Sequence, residues 1–322
     1  MNGLILCLVA FALALFGSYL LTPVVEQIAR AAGAMRIPRV RDVHTKNMPL
    51  WGGIAIVCST VLAILLTVPG GPHFSKVAAI LGAAFLVAVF GILDDKFDLS
   101  ALAQMSVLLV AGWLVTLYGV KISFVTNPLG PGTLDLDNMH LAVPITMAWI
   151  FFTTKATDII DGVDGLAAGV SAISCATLAL MALMAKPQPN VVAAVMAASV
   201  CGSAIGFLRH NFNPARIFMG TAGAQFLGFM LACLAILSLT KIATVVTLSV
   251  SVLVMGVPIL DAVFVVIRRL VTMQPLTHAD KGHVHHRLLK SGLSQRQTVL
   301  ILYAVTACLC IVALGVFTFS RR

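Results

Sequence analysis

A chain of 322 residues that is 60% hydrophobic and only 10% charged, with a mean hydropathy of +1.02, is too apolar for the two soluble domains its length would suggest. The net charge of +9 reads chiefly as a membrane-topology signal, with attraction of anionic lipid or substrate secondary, and no nucleic-acid partner is implied. All 7 cysteines fall in apolar runs, where a free thiol behaves as a small hydrophobe, so neither a disulfide nor a zinc framework is expected.

Crossing a ~30 Å hydrocarbon layer takes about 20 helical residues. Apolar runs of that order recur near 4–22, 50–68, 76–93, 101–118, 141–160, 165–185, 191–208, 222–240, 242–267 and 299–318. They predict an all-α polytopic membrane protein of about ten transmembrane helices, or eleven, in one integral domain over 1–322. No linker, low-complexity segment or internal repeat divides it. The first run lacks a basic leader and a small-residue cleavage site, so it is expected to stay as a helix. With the N-terminus outside, the inner loops collect fifteen Lys and Arg and the outer side six, which supports that orientation. Between spans four and five, KISFVTNPLGPGTLDLD (121–137) has alternating segments around a Pro/Gly turn, which predicts a small external β-hairpin.

Of the 12 acidic residues, only Asp135 and Asp137 lie outside. The inner face carries five polar clusters in chain order. These are RVRDVHTKNMPLWGG (39–53), GILDDKFDLS (91–100), TTKATDIIDGVDGLAAG (153–169), HNFNPARIFMGTAGAQFLG (210–228) and HADKGHVHHRLLKSGLSQRQ (278–297). Ionisable side chains at a membrane face are costly unless paired or hydrated, so clusters this dense are functional candidates. A lone Asp42 or Asp280 reads equally well as a helix cap or a solvated residue. Asp94 and Asp95, with Asp98 close by, do not: adjacent carboxylates repel, and something cationic should offset them. Magnesium suits the position, since it takes one or two carboxylates and completes its shell with water and phosphate. His283, His285 and His286, close to Lys281 and Arg287, lack the partners of a structural zinc site and read as a positive or hydrogen-bonding patch for an anionic substrate. His73 and His140, on the outer side, read as ordinary solvated residues.

Taken together, GILDDKFDLS, IIDGVDGLAAG, NPARIFMG, PILD (258–261) and HVHHRL resemble the polyprenyl-phosphate N-acetylhexosamine-1-phosphate transferase family from Arg39 to about Arg296. The HVHHRL form looks more like the N-acetylglucosamine-phosphate branch than the peptidoglycan branch. The resemblance implies a membrane transferase in the bacterial cytoplasmic membrane with an inner-facing groove. It implies transfer of a sugar 1-phosphate from a UDP-sugar to a polyprenyl phosphate, with release of UMP and with magnesium, or manganese in its place, as cofactor. It leaves open a homodimer and the identity of the sugar. It implies catalytic roles for Asp94, Asp95, Asp161 and Asp164. It places His283, His285, His286 and Arg287 on the substrate-phosphate side, where His44 and Asp98 are also expected, and makes Asp261 a structural partner of that site.

The chain departs from the family at four positions. Lysine is usual where Gln104 stands, asparagines where Lys155 and Asp158 stand, and a metal-binding aspartate where Thr221 stands. Asp42 and Leu50 occupy positions where basic residues are favoured. Across the four positions the formal charge sums to zero in both patterns, so a cation and an anion have changed place with their total kept. This predicts that Lys155 takes over the catalytic phosphate-facing role of the missing lysine, and that Asp158 serves beside Thr221 at the metal position. The competing reading is a simple Lys155–Asp158 ion pair three residues apart on a helix. A binding-only relative and a secondary transporter are the functional alternatives. The transporter fits less well, because such sites usually sit on broken helices near the bilayer midplane.

Overall fold

The computed structural model describes residues 3–36, 47–68, 70–71, 74–126, 133–239, 251–271 and 283–319. In chain order the elements are α1 (Gly3–Ala31), β1 (Met35–Arg36), β2 (Met48–Pro49), α2 (Gly53–Thr67), α3 (Phe74–Phe97), α4 (Ala101–Leu117), β3 (Phe124–Thr126) and β4 (Thr133–Asp135). They continue with α5 (Ala142–Ile160), α6 (Leu166–Leu183), α7 (Val191–Asn211), α8 (Gly220–Leu239), α9 (Gly256–Val271), α10 (Val284–Lys290) and α11 (Gln295–Phe319). In hydrocarbon every backbone N–H and C=O must be satisfied within the segment, so apolar runs of this length become helices.

Six of these helices, α1, α3, α6, α7, α8 and α11, are long and apolar enough to cross a membrane. The protein is therefore a multi-pass membrane protein. The helices α2 and α4 are apolar but shorter, at 15 and 17 residues, and α5 interrupts its apolar run with Lys155 and Asp158. The expected ninth span begins at 242, and residues 240–250 lie outside the described residues. The helix α1 runs well past the expected end at 22, because Pro23 is accommodated inside it.

Burial separates an inner layer from an outer one. The apolar windows of α6, α7 and α8 are 78, 78 and 83% buried, whereas those of α1 and α11 are 22 and 28% buried and leave their other faces to lipid. The helix α8 is the hub, packed against α2, α3, α5, α6 and α7. Its close approach to α3 depends on Gly91, where an added Cβ would lie 2.4 Å from Ala222 Cα. In the core, the Thr60 and Ser203 hydroxyls hydrogen-bond across α2 and α7 at 2.6 Å, so these polar atoms are not left bare.

The expected hairpin is present. Strand β3 pairs antiparallel with β4, Phe124 opposite Asp135 and Thr126 opposite Thr133, and the Lys121 ammonium meets Asp137 at 2.6 Å beside it. Residues 127–132, the predicted turn, lie outside the described residues. A second antiparallel pair, β1 with β2, was not anticipated from sequence; Met35 stands opposite Pro49 and Arg36 opposite Met48. It delivers the 47–53 segment to the start of α8, where Gly52 N donates to Phe218 O and Gly53 N to Met219 O, each at 2.9 Å.

Candidate active site

Asp94 and Asp95 occupy the last turn of α3 and face different neighbours. Asp94 Oδ1 accepts from Leu99 N at 3.0 Å and from Gln104 Nε2 at 2.7 Å, so this oxygen fastens the turn between α3 and α4. Asp98 follows the helix end with φ 51 and is exposed, an arrangement typical of a residue closing a helix C-terminus. Asp95 instead reaches the amino end of α8, where Oδ1 accepts from Thr221 N at 2.8 Å. Free N–H groups and the helix dipole favour a carboxylate there. The fit demands Gly220, which has φ +70 and whose added Cβ would lie 2.3 Å from Asp95 Oδ2. That Oδ2 is buried and has no hydrogen-bond partner among the described residues.

The third cluster lies at the carboxyl end of α5. Lys155 Nζ donates to Gln104 Oε1 at 2.9 Å and to Asp158 Oδ2 at 2.5 Å, and Asp158 Oδ2 also accepts from Gln225 Nε2 at 3.2 Å. The expected approach of Lys155 to Gln104 is thus observed, together with the competing Lys155–Asp158 pair. Asp158 is bonded to α8 by Gln225, one turn beyond Thr221, while the Thr221 backbone bonds to Asp95. Asp161 caps α5. Burial raises its carboxyl well above the usual range; the nearby carboxylates of Asp158, Asp95 and Asp164 push the same way, and Arg36 pulls against them.

Asp164 is buried and is fastened to the fourth cluster: its Oδ2 accepts from Asn213 Nδ2 and Ala215 N, each at 3.0 Å. Asn211 strengthens the same junction, accepting from Gly165 N at 3.0 Å and donating to Ile217 O at 2.9 Å. The Tyr303 hydroxyl closes it from α11 by donating to Gly165 O at 2.6 Å. The family resemblance implied a catalytic role for Asp164; its bonds to Asn213 and Ala215 give it a structural task at this junction.

In the fifth cluster Asp261 on α9 holds the start of α10, as expected of a structural partner. Its Oδ1 accepts from Val284 N at 2.7 Å and its Oδ2 lies 2.9 Å from His283 Nδ1. His283 and His285 stack with ring centres 5.7 Å apart, and His286 lies 4.4 Å beyond His285. His285 is buried against the third cluster: a Cβ on Gly162 would be 2.9 Å from its Nε2. Burial, then the neighbouring His286, lowers its pKa to about 4, which favours the neutral ring over the cation. The Arg287 guanidinium covers the Phe264 ring at 5.2 Å. His44, Asp42, Asp280 and Lys281 lie outside the described residues.

The second, third and fourth clusters and the described parts of the first and fifth therefore meet at one end of the bundle. The carboxyl ends of α3, α5 and α7 join the amino ends of α6, α8 and α11 there. Sequence spacing missed Gln225, Asn211 and Asn213; the signal for Gln225 was its place one helical turn after Thr221 on α8. Among the described residues no group of three His, Cys, Asp or Glu could by itself hold a metal ion. A cation here would need oxygens from a ligand as well as from Asp95 and Asp158.

The sequence pattern described as Glycosyl transferase family 4 matches residues 77–239, from α3 through α8. The chain is 39% identical over 297 residues to a Bacillus subtilis protein named as a probable undecaprenyl-phosphate N-acetylglucosaminyl 1-phosphate transferase, covering 92% of this chain and 81% of that one. It is 31% identical over 313 residues to the decaprenyl-phosphate N-acetylglucosaminephosphotransferase of Mycobacterium tuberculosis, covering 89% of this chain and 76% of that one. With the undecaprenyl-phosphate alpha-N-acetylglucosaminyl 1-phosphate transferase of Yersinia pestis it shares 24% identity over 294 residues, 90% of this chain and 78% of the relative. Motif order, the convergence of the clusters and these similarities agree: the chain belongs to glycosyl transferase family 4.

Proposed function

We propose that the protein transfers N-acetylglucosamine 1-phosphate from UDP-N-acetylglucosamine to a polyprenyl phosphate, releasing UMP, as the first membrane step of a cell-envelope glycan. To this reading we attach ten crossings with the N-terminus outside, a bacterial inner-membrane location, and a site facing the cytoplasm. The names of the relatives support the reaction class. The observation in the fold that carries the reading is Asp95, bound through one oxygen to the start of α8 with its other oxygen buried and unpartnered, beside Asp158 and Asp161.

A phosphate monoester has its second pKa near about 6, so the lipid phosphate is largely ionised at neutral pH and needs no strong base. An oxygen of the lipid phosphate attacks the β-phosphorus of the UDP-sugar. The bond from that phosphorus to the bridging oxygen breaks, and the electron pair leaves with UMP. The protein's task is to bring two anions together in line, which calls for positioning and cationic stabilisation. The oxygens of Asp95 and Asp158 fit magnesium, or manganese in its place, which when bound would neutralise charge developing on the phosphates. Lys155 supplies a fixed positive charge between Gln104 and Asp158. We assign the imidazoles of His283 and His286, whose rings lie against that of His285, to phosphate oxygens, with buried His285 packed against Gly162. Carboxylates at helix ends rather than at mid-bilayer favour transfer over transport.

The test is purified protein with polyprenyl phosphate, magnesium and UDP-N-acetylglucosamine, reading UMP and lipid-linked product. Release of UMP that depends on the lipid is expected. Absence of UMP with a panel of UDP-sugars would overturn the reading, and solute flux without UMP would favour a transporter.

A further inference from the structure

A continuous polar chain, Asp94–Gln104–Lys155–Asp158–Gln225, ties together α3, α4, α5 and α8 at this site. Its links are 2.7, 2.9, 2.5 and 3.2 Å long. The two ends of the Gln104 amide are used in opposite senses: the nitrogen donates to a carboxylate and the oxygen accepts from an ammonium. A carboxylate at 104 could not donate to Asp94, and an ammonium there could not accept from Lys155. An amide is thus suited to placing the positive charge of Lys155 in series with Asp94, and donation to its oxygen polarises its N–H toward the carboxylate. On the other side, Lys155 and Gln225 both donate to Oδ2 of Asp158, so these bonds do not commit Oδ1. An exposed helix pair would need neither glutamine; Lys155 and Asp158 are only 27 and 17% exposed.

We infer that Lys155 is a positioning residue of the transfer reaction, acting through Gln104 on Asp94 and directly on Asp158, with its charge offsetting the repulsion among Asp94, Asp95, Asp158 and Asp161. The inference rests on the transferase reading above and names the residue that organises its carboxylates. It places the cation within a relay and not at a fixed sequence position. Moving the charge across the 2.9 Å contact to residue 104, with an amide put in its place at 155, should therefore preserve the arrangement.

The experiment compares wild type with Lys155→Gln, Gln104→Lys and the exchanged double variant. It measures UMP release at varied magnesium and UDP-N-acetylglucosamine, and thermal midpoints with UDP at varied magnesium. Lys155→Gln should lower kcat by more than about a hundredfold with a smaller change in KM. It should also raise the magnesium concentration needed for thermal protection. Gln104→Lys alone should be impaired by two ammonium groups in contact. The double variant should recover at least about tenfold over Lys155→Gln and restore the magnesium dependence of protection. A double variant no better than Lys155→Gln, with thermal midpoints like wild type, overturns the inference. Should Lys155→Gln fail to fold, Lys155→Arg decides: turnover within about tenfold of wild type supports the charge relay, and a loss beyond about a hundredfold overturns it. Wild type that releases no UMP defeats the transferase reading itself, and the positioning role with it.

Discussion

Asp94 and Asp95 are adjacent in sequence, yet their surroundings give them different work. Asp94 Oδ1 is taken by two donors that shape the α3–α4 turn, while Asp95 keeps a buried oxygen unclaimed at the start of α8. Asp95→Asn is therefore expected to lower turnover by two to three orders of magnitude, roughly 3–4 kcal/mol of transition-state stabilisation. Its thermal midpoint should stay at or above that of wild type, because a buried carboxylate is removed without loss of volume. Turnover near wild type, or unchanged turnover in EDTA, would sink the assignment of Asp95 to the cation.

His285 gives a second expectation, on stability. Its folded pKa of about 4 lies below the ordinary 6.5, so the folded state prefers the neutral ring. As pH falls from about 6.5 toward 4, the unfolded chain binds a proton that the folded chain refuses. The contribution is thus complete above that window and is lost through it. Wild-type thermal midpoint should fall more steeply than that of His285→Gln between pH 7 and pH 5, a window chosen on that linkage. Parallel curves would mean that His285 titrates normally in the folded protein.

Among the elements, α3 makes its closest backbone approach to α8 at a glycine. Gly91 lies against Ala222 of α8, whereas an added Cβ at Gly82, on the same helix, meets nothing within 4 Å. Gly82→Ala should leave activity intact and stabilise by up to about 1 kcal/mol through helix propensity. Gly91→Ala should force α3 from α8, moving Asp95 away from Thr221 N, and lower both thermal midpoint and turnover. Equal behaviour of the two variants would show that this contact does not position Asp95. The apolar runs announced α3 and α8 because lipid leaves the backbone few choices. They could not announce β1–β2 or α10, each too short to carry a periodic signal, nor the run of α1 through Pro23. The paired aspartates, the DGVDG segment and the histidines were legible as clusters of costly charge. Their partners Gln225, Asn211 and Asn213 were not, because an uncharged amide in a polar stretch has no pattern until the helices around it are packed.

At the scale of the whole molecule, site and hairpin lie at opposite ends of the bundle. Helix α5 begins beside the hairpin at Ala142 and reaches Asp158 sixteen residues later, about 24 Å along its axis at 1.5 Å per residue. That rise is close to the thickness of a bilayer's hydrocarbon core, so the two ends should face different compartments. The excess of Lys and Arg in the loops at the site end points to the cytoplasm for that end. Two single-cysteine variants in a background lacking the 7 native cysteines would test this. Asn138→Cys, exposed beside the hairpin, should react with a membrane-impermeant maleimide in cells whose inner membrane is sealed and accessible from outside. Ser291→Cys, exposed after α10, should react only once that membrane is opened. Labelling of Ser291→Cys before permeabilisation, with Asn138→Cys protected, would invert the topology. A cytoplasmic UDP-sugar would then have no route to the carboxylates around Asp95, and the proposed transfer would have to draw its donor from the other side.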